Sequence, residues 1–143
     1  MDPNKSISEI MTRNLVCVRP TETANNIRAI FKEHDFHHLP VTEEDGKLAG
    51  IISKSDFLRI TFKLSSETSG SVWSEKTFNH LTAKDLMTPY PLWIQEDDTI
   101  GLAADIFLAN KFHALPVMED DELVGLVTTH DLLAYTFKSP IET

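Results

Sequence analysis

Three features of the chain predict a mixed α/β fold, of the α+β kind. These are a tandem repeat, an apolar pattern that switches between strand and helix spacing within each copy, and turn residues at matching places in both. The run Met11-Thr12 … Leu39-Pro40-Val41 … Gly50-Ile51-Ile52-Ser53-Lys54-Ser55-Asp56 returns as Met87-Thr88 … Leu115-Pro116-Val117 … Gly125-Leu126-Val127-Thr128-Thr129-His130-Asp131. From Met11 to Pro40 the second copy lies 76 positions on, and from Gly50 to Asp56 it lies 75 on. The lost residue falls where Glu44-Asp45-Gly46-Lys47 becomes Asp120-Asp121-Glu122, a predicted hairpin turn, and turns absorb length changes at least cost. At 143 residues the chain can bury a real core, but each half alone would be marginal, so the halves are expected to pack together.

Each copy reads as strand, helix, strand, turn, strand, helix. Leu15 to Val18 is a short β-rich run stopped by Pro20, with Cys17 expected inside it as a small buried residue. Thr23 to His34 places Ile27, Ile30, Phe31 and His34 at helical spacing. His38 to Thr42 and Lys47 to Ser53 form a hairpin around Glu44-Asp45-Gly46, and a helix from Ser53 is expected to turn Phe57, Leu58 and Phe62 inward. The second copy repeats this order with Leu92 to Ile94, a helix from Thr99 to Asn110, strands at Ala114 to Met118 and Leu123 to Thr128, and a last helix through Tyr135. Asp35 and Lys111 stand at the end of the first long helix in each copy, where Asp35 tolerates a left-handed cap and Asn110 can supply one. Ser6-Ile7-Ser8-Glu9 and Thr82-Ala83-Lys84-Asp85 carry the capping-box spacing of a short helical turn before each copy. The resulting division is 1–63, a connector at 64–81 expected to be helical with Trp73 packed on the body or on a second subunit, and 82–143.

Composition excludes several classes. A chain with 41% hydrophobic and 24% charged residues is neither disordered nor membrane-spanning, and its polar start lacks the apolar segment of a secretory signal, so a cytoplasmic setting is expected. The net charge of −9 is uneven: residues 1–63 hold nine Lys/Arg and nine Asp/Glu, whereas residues 86–143 hold two against ten. Nucleic-acid affinity rests on cationic contacts to phosphate, so DNA or RNA is not the expected partner. His37 and His38 point to opposite faces of a strand, no cysteine partners them, and no metal site is expected. A nucleophile elbow and a Gly-rich phosphate loop are both missing, so no enzyme activity and no catalytic residue is expected. Glu119-Asp120-Asp121-Glu122 reads as a solvated turn.

The order of elements, with Leu-Pro-Val on the second strand and Gly-Ile-Ile-Ser-x-x-Asp or Gly-Leu-Val-Thr-x-x-Asp at the last strand-to-helix junction, resembles the cystathionine-β-synthase (CBS) domain family. Two copies resemble a tandem CBS pair from about Ile7 to Tyr135, and the resemblance implies two repeats packed as a pseudo-two-fold pair. It further implies a non-catalytic regulatory module that binds AMP, ADP, ATP or S-adenosylmethionine in clefts between the repeats, requires no cofactor, forms a homodimer and acts on a separate effector protein. Carried onto this chain, the family signature puts Ser53 and Asp56, and Thr128 and Asp131, at ribose and phosphate, with Lys54 and His130 beside them. His38, Pro40, Ala114 and Pro116, with the strand starts after Thr12 and Thr88, would line the base pocket.

The chemistry of these residue types agrees: a carboxylate accepts two hydrogen bonds from vicinal ribose hydroxyls, and a hydroxyl at a helix start can hold a phosphate oxygen. The same spacing also fits a plain N-cap with an acidic residue in the first turn. A dimerisation or interaction module with vestigial ligand sites is therefore a competing reading, as is an S-adenosylmethionine binder. Charge favours the first-copy residues for a phosphate-rich ligand.

Overall fold

The computed structural model describes residues 2–67 and 78–138, without the side chains of 64–67. Trp73, and with it the middle of the connector, lies outside the described residues. Packing divides the chain into a central unit, Val16–Tyr90, and a terminal unit, Met1–Leu15 with Pro91–Thr143. These units do not follow the repeats. The short segment ahead of each repeat is built into the unit that holds the rest of the other one.

In the central unit the elements are α1 (Ala24–Glu33), β1 (His38–Thr42), β2 (Leu48–Ser53), α2 (Lys54–Glu67), α3 (Ala83–Leu86) and β3 (Thr88–Pro89). Thr23 starts α1 because its Oγ1 accepts the Asn26 N–H at 3.2 Å, and Ala24, Ile27 and Phe31 form the buried stripe. The strands pair antiparallel in the order β1-β2-β3. Successive side chains of a strand alternate between faces, so the pairs Leu39–Ile52 and Val41–Gly50 share the core face while His38–Ser53 and Pro40–Ile51 share the other. Phe57 closes the core from α2, its ring centroid 5.6 Å from that of Phe31 and 5.9 Å from that of Phe78. The Arg28 guanidinium lies over the Phe78 ring, 5.0 Å from its centroid, which anchors the end of the connector.

The terminal unit repeats the plan with β4 (Ile94–Gln95), α4 (Ile100–Ala109), β5 (Ala114–Glu119), β6 (Glu122–Thr128) and α5 (Thr129–Lys138), after a 3-10 turn at Ile7–Glu9. Thr99 Oγ1 caps α4 by accepting the Leu102 N–H at 3.1 Å, as Thr23 does for α1. The core holds Ile7, Ile100, Ala103, Leu115, Val117 and Val127. Asp120 and Asp121 both take positive φ, 48° and 66°, the backbone of a two-residue hairpin turn whose twist matches that of the strands. The first hairpin instead has a longer loop with Gly46 at φ 87°, which accounts for the residue lost between copies.

The exchange of segments is reciprocal. In the terminal unit Ser6 bridges Thr99 and Thr12 bridges Leu126; in the central unit the repeat-related residues Thr82 and Thr88 take the same places against Thr23 and Ile51. Thr12 and Leu126 exchange both backbone hydrogen bonds, at 2.8 and 3.0 Å. The glycines are part of the same device. A Cβ on Gly50 would lie 2.5 Å from Met87 Sδ and 2.8 Å from the Thr88 carbonyl oxygen; one on Gly125 would lie 2.6 Å from Met11 Sδ and 3.2 Å from the Thr12 oxygen. Thus the Met-Thr pair at the start of one copy is seated on the glycine of the other.

Several expectations are corrected. Within Leu15–Val18 only Val18 pairs, through a parallel bridge to Val41; Cys17 is exposed because Val16 and Val18 take the inward side. Desolvation by the surrounding protein still raises the Cys17 thiol above its ordinary value, with Arg19 acting in the opposite direction. The strand expected at Leu92 begins at Ile94, leaving Leu92 and Trp93 exposed. On α2, Phe57 faces in, but Leu58 and Phe62 are 55% and 74% exposed. The first helix of each copy, α1 and α4, ends without a left-handed cap, at His34 and Asn110 in extended conformation. Ser6 Oγ caps its turn by accepting from Ser8 N–H, and it donates to the Glu96 carbonyl at 2.6 Å; Asp85, in contrast, does reach back to the Thr82 N–H at 2.9 Å.

Candidate functional site

The sheet pairing gathers the residues singled out from sequence into two sets, one per unit. In the central unit Pro40 lies across from Ile51, Ile51 from Thr88, and His38 from Ser53, so all sit on the face opposite the core face of the sheet. In the terminal unit Pro116 pairs with Leu126, Leu126 with Thr12, and Ala114 with Thr128, which reproduces that face. Each set therefore draws its Met-Thr residue from the other repeat: Thr88 joins Ser53, Lys54 and Asp56, and Thr12 joins Thr128, His130 and Asp131. Pro40, Pro116 and Ala114 are buried; Thr12, Thr88 and His130 are exposed; Ser53, Lys54, Asp56, Thr128 and Asp131 are half-buried.

At the end of each sheet the chain turns straight into a helix, and a backbone carbonyl from just before the first hairpin strand steadies the junction. His37 O accepts the Lys54 N–H at 2.7 Å, and His113 O accepts the Thr129 N–H at 3.0 Å. The hydroxyl of the signature is also used alike: Ser53 Oγ accepts the Asp56 N–H, and Thr128 Oγ1 accepts the Asp131 N–H, both at 3.1 Å.

The carboxylates differ. Asp131 completes a reciprocal capping box, its Oδ2 accepting the Thr128 N–H at 2.9 Å. Asp56 keeps only the hydroxyl half of that arrangement, and its Oδ1 accepts from Arg59 Nη2 at 3.0 Å. Arg59 was not among the residues chosen from sequence, although its position one helical turn beyond Asp56 is the spacing at which opposite charges meet on a helix. Its counterpart in the second copy is Ala134.

Charge sharpens the contrast. Counted by packed unit, the central one holds nine Lys/Arg against ten Asp/Glu, and the terminal one four against twelve. Within the terminal unit Glu96 lies close enough to raise the carboxyl of Glu119 above its usual range, helped by partial desolvation and Asp120 and opposed by Arg13. No group of His, Cys, Asp and Glu side chains among the described residues is arranged to hold a metal ion. No helix among them is long and apolar enough to cross a membrane.

This architecture, two sheets with helices on a duplicated strand-to-helix signature, defines a tandem-repeat module of the CBS type. The CBS domain model matches residues 7–63 and 83–138, and the chain belongs to that family. It is 35% identical over 142 residues to the CBS domain-containing protein CBSX1, chloroplastic, of Arabidopsis thaliana, covering 86% of this chain and 60% of that protein. It is 27% identical to protein MJ1225 of Methanocaldococcus jannaschii, covering 94% of this chain and 48% of that one. The chain thus spans about half to three fifths of the length of these two relatives. Among solved structures, CBSX2 in complex with AMP aligns with a TM-score of 0.77 at 27% identity, covering 94% of this chain and 97% of that one. The CBS domain of a CBS domain-containing membrane protein from Sphaerobacter thermophilus aligns with a TM-score of 0.75 at 31% identity, covering 92% and 87%.

Proposed function

We propose that this chain is a non-catalytic regulatory module of the cytoplasm that senses adenine nucleotides, with AMP, ADP or ATP as its ligand and a separate effector protein as its output. The observation that carries the reading is the duplicated group of a hydroxyl, a carboxylate and a strand residue opposite them on one sheet face, in a family where the 27%-identical CBSX2 is crystallised with AMP. Asp56 would take the ribose hydroxyls and Ser53 a phosphate oxygen, with Lys54 supplying positive charge in a unit that is close to neutral. The terminal unit, with its excess of acid, would repel phosphate and is the weaker site. Regulation follows if the ligand prefers one arrangement of the protein over another, since it can shift an equilibrium only by that difference.

Titration calorimetry with AMP, ATP and S-adenosylmethionine tests this. AMP or ATP is expected to bind, Asp56→Ala to weaken binding about tenfold or more, and Asp131→Ala to change it less than about threefold. A folded protein that gives no heat with any of the three sinks the sensor reading and leaves the interaction module, which the use of Asp131 as an ordinary helix cap favours in the terminal unit.

A homodimer is part of the proposal. Leu58 and Phe62 on α2, and the repeat-related Leu133 and Phe137 on α5, are all more than half exposed in large apolar side chains, and a second copy would cover them. Light scattering should give twice the chain mass, falling to one chain mass for Phe62→Glu with Phe137→Glu; a monomeric parent protein would remove this part.

A further inference from the structure

We infer that Arg59 is a positioning residue that selects the central unit as the nucleotide-receptive one, by holding the Asp56 carboxylate away from the cap of its own helix. This rests on the ligand reading above. The duplication supplies the internal control. Both copies carry a hydroxyl and an aspartate three residues apart at the same strand-to-helix junction, and in both the hydroxyl accepts the aspartate's N–H at 3.1 Å. Where the residue one turn further is Ala134, the aspartate turns back and takes the Thr128 N–H at 2.9 Å. Where it is Arg59, the carboxylate takes the guanidinium at 3.0 Å instead.

The strand register explains why that backbone N–H needs the carboxylate. On β1 the Pro40 carbonyl and the Thr42 N–H are directed to Val18, away from β2, so Leu39 and Val41 make the bonds across to β2, and His38–Ser53 is a pair that does not exchange them. The Ser53 N–H, like that of Thr128, therefore faces away from the hairpin partner and is open to capping by the following aspartate.

The consequence for a ligand is asymmetric. A vicinal diol is held best when both oxygens of a carboxylate can turn to it. At Asp131 it would compete with the Thr128 N–H for the carboxylate at a half-buried junction, whereas at Asp56 it competes only with an ion pair whose side chains are 75% and 45% exposed. Losing a backbone partner costs more than loosening a surface ion pair. Arg59, long and flexible, can also stay with the carboxylate while one oxygen is shared.

Two measurements test this. In the ligand-free protein, Arg59→Ala should let Asp56 fall back onto the cap, so amide hydrogen exchange at Ser53 slows, while Ala134→Arg should speed exchange at Thr128. In AMP titrations, Arg59→Ala should weaken binding about tenfold with an unchanged melting temperature, Arg59→Lys should restore part of the loss, and Ala134→Arg should add or strengthen a second binding event. Unchanged exchange at Ser53 in Arg59→Ala overturns the positioning role even if AMP binds. Altered exchange with unchanged AMP affinity overturns the selection. A parent protein that takes no AMP sinks the functional reading, and with it the selection, while the exchange data still decide what Arg59 does to Asp56.

Discussion

Residues 82–143, the second repeat as the sequence divides it, are expected to stay unfolded when expressed alone. That fragment lacks Met1–Leu15, which the terminal unit needs to complete its core. Ile7 is fully buried and Met11 nearly so, and deleting a large buried aliphatic side chain typically costs about 2–5 kcal/mol. Polar losses add to this. The segment also takes part in backbone hydrogen bonds linking Ile7 to Asp98 at 2.7 Å, Ser8 to Glu96 at 3.2 Å, Ile100 to Lys5 at 2.9 Å and Gly101 to Pro3 at 2.8 Å, besides the Thr12–Leu126 pair. A domain of this size has only about 5–15 kcal/mol of net stability, so the combined loss exceeds what the fragment can bear. Its residues 82–90 meanwhile bring Ala83 and Leu86, which are buried only against the core of the central unit. Mixing 82–143 with a second fragment, 1–81, should restore a cooperative thermal melt by circular dichroism, because each fragment supplies the segment the other lacks. A cooperative melt of 82–143 alone, near that of the whole chain, would show that the exchanged segment is dispensable.

Much of this fold could be read from the sequence because alternation and capping are local. The apolar residues of Leu39-Pro40-Val41 and Ile51-Ile52 sort onto two faces by period alone, and Thr23 and Thr99 announce their helices by residue type and position. Choices between equivalent faces were not legible in the same way. Alternation puts Val16 and Val18 on one side and Leu15 and Cys17 on the other without saying which side is inward, and the packing of Val18 against Leu39 and Val41 decides it. Phe57, Leu58 and Phe62 all suit a helical stripe, but the aromatic contacts to Phe31 and Phe78 turn α2 so that Phe57 alone of the three is buried. The exchange of segments is invisible for a deeper reason. Both copies carry a Met-Thr and a glycine, so pairing within a copy and pairing between copies present the same pattern. The candidate site was legible as a signature, while the different use of Asp56 and Asp131 depends on a residue three positions further on.

Replacing Gly50 by alanine is expected to lower stability by about 2–3 kcal/mol, and the same change at Gly125 by about 1–2 kcal/mol, although the two positions are equivalent in the repeat. The difference follows from what each new methyl group meets. At Gly50 it would lie 2.8 Å from the carbonyl oxygen of Thr88, which is fixed by the pairing of Ile51 with Thr88, and 2.5 Å from Met87 Sδ. The thioether can swing aside, but the carbonyl moves only if β3 leaves the sheet. At Gly125 the backbone oxygen of Thr12 would be 3.2 Å away, so a few tenths of an ångström suffice, and the closest obstacle is again a flexible thioether, Met11 Sδ at 2.6 Å. A double-mutant cycle separates the two contributions, since it reads the interaction between neighbours directly. Met11→Ala should remove most of the penalty of Gly125→Ala, leaving a cycle close to the cost of losing Met11 from the core. Met87→Ala should remove only part of the penalty of Gly50→Ala, because the clash with the Thr88 oxygen persists. Urea denaturation of the six variants gives both couplings. Equal penalties at the two glycines, or full relief of Gly50→Ala by Met87→Ala, would mean that the β3 carbonyl yields and that the strand brought from the second repeat is not held rigidly against β2.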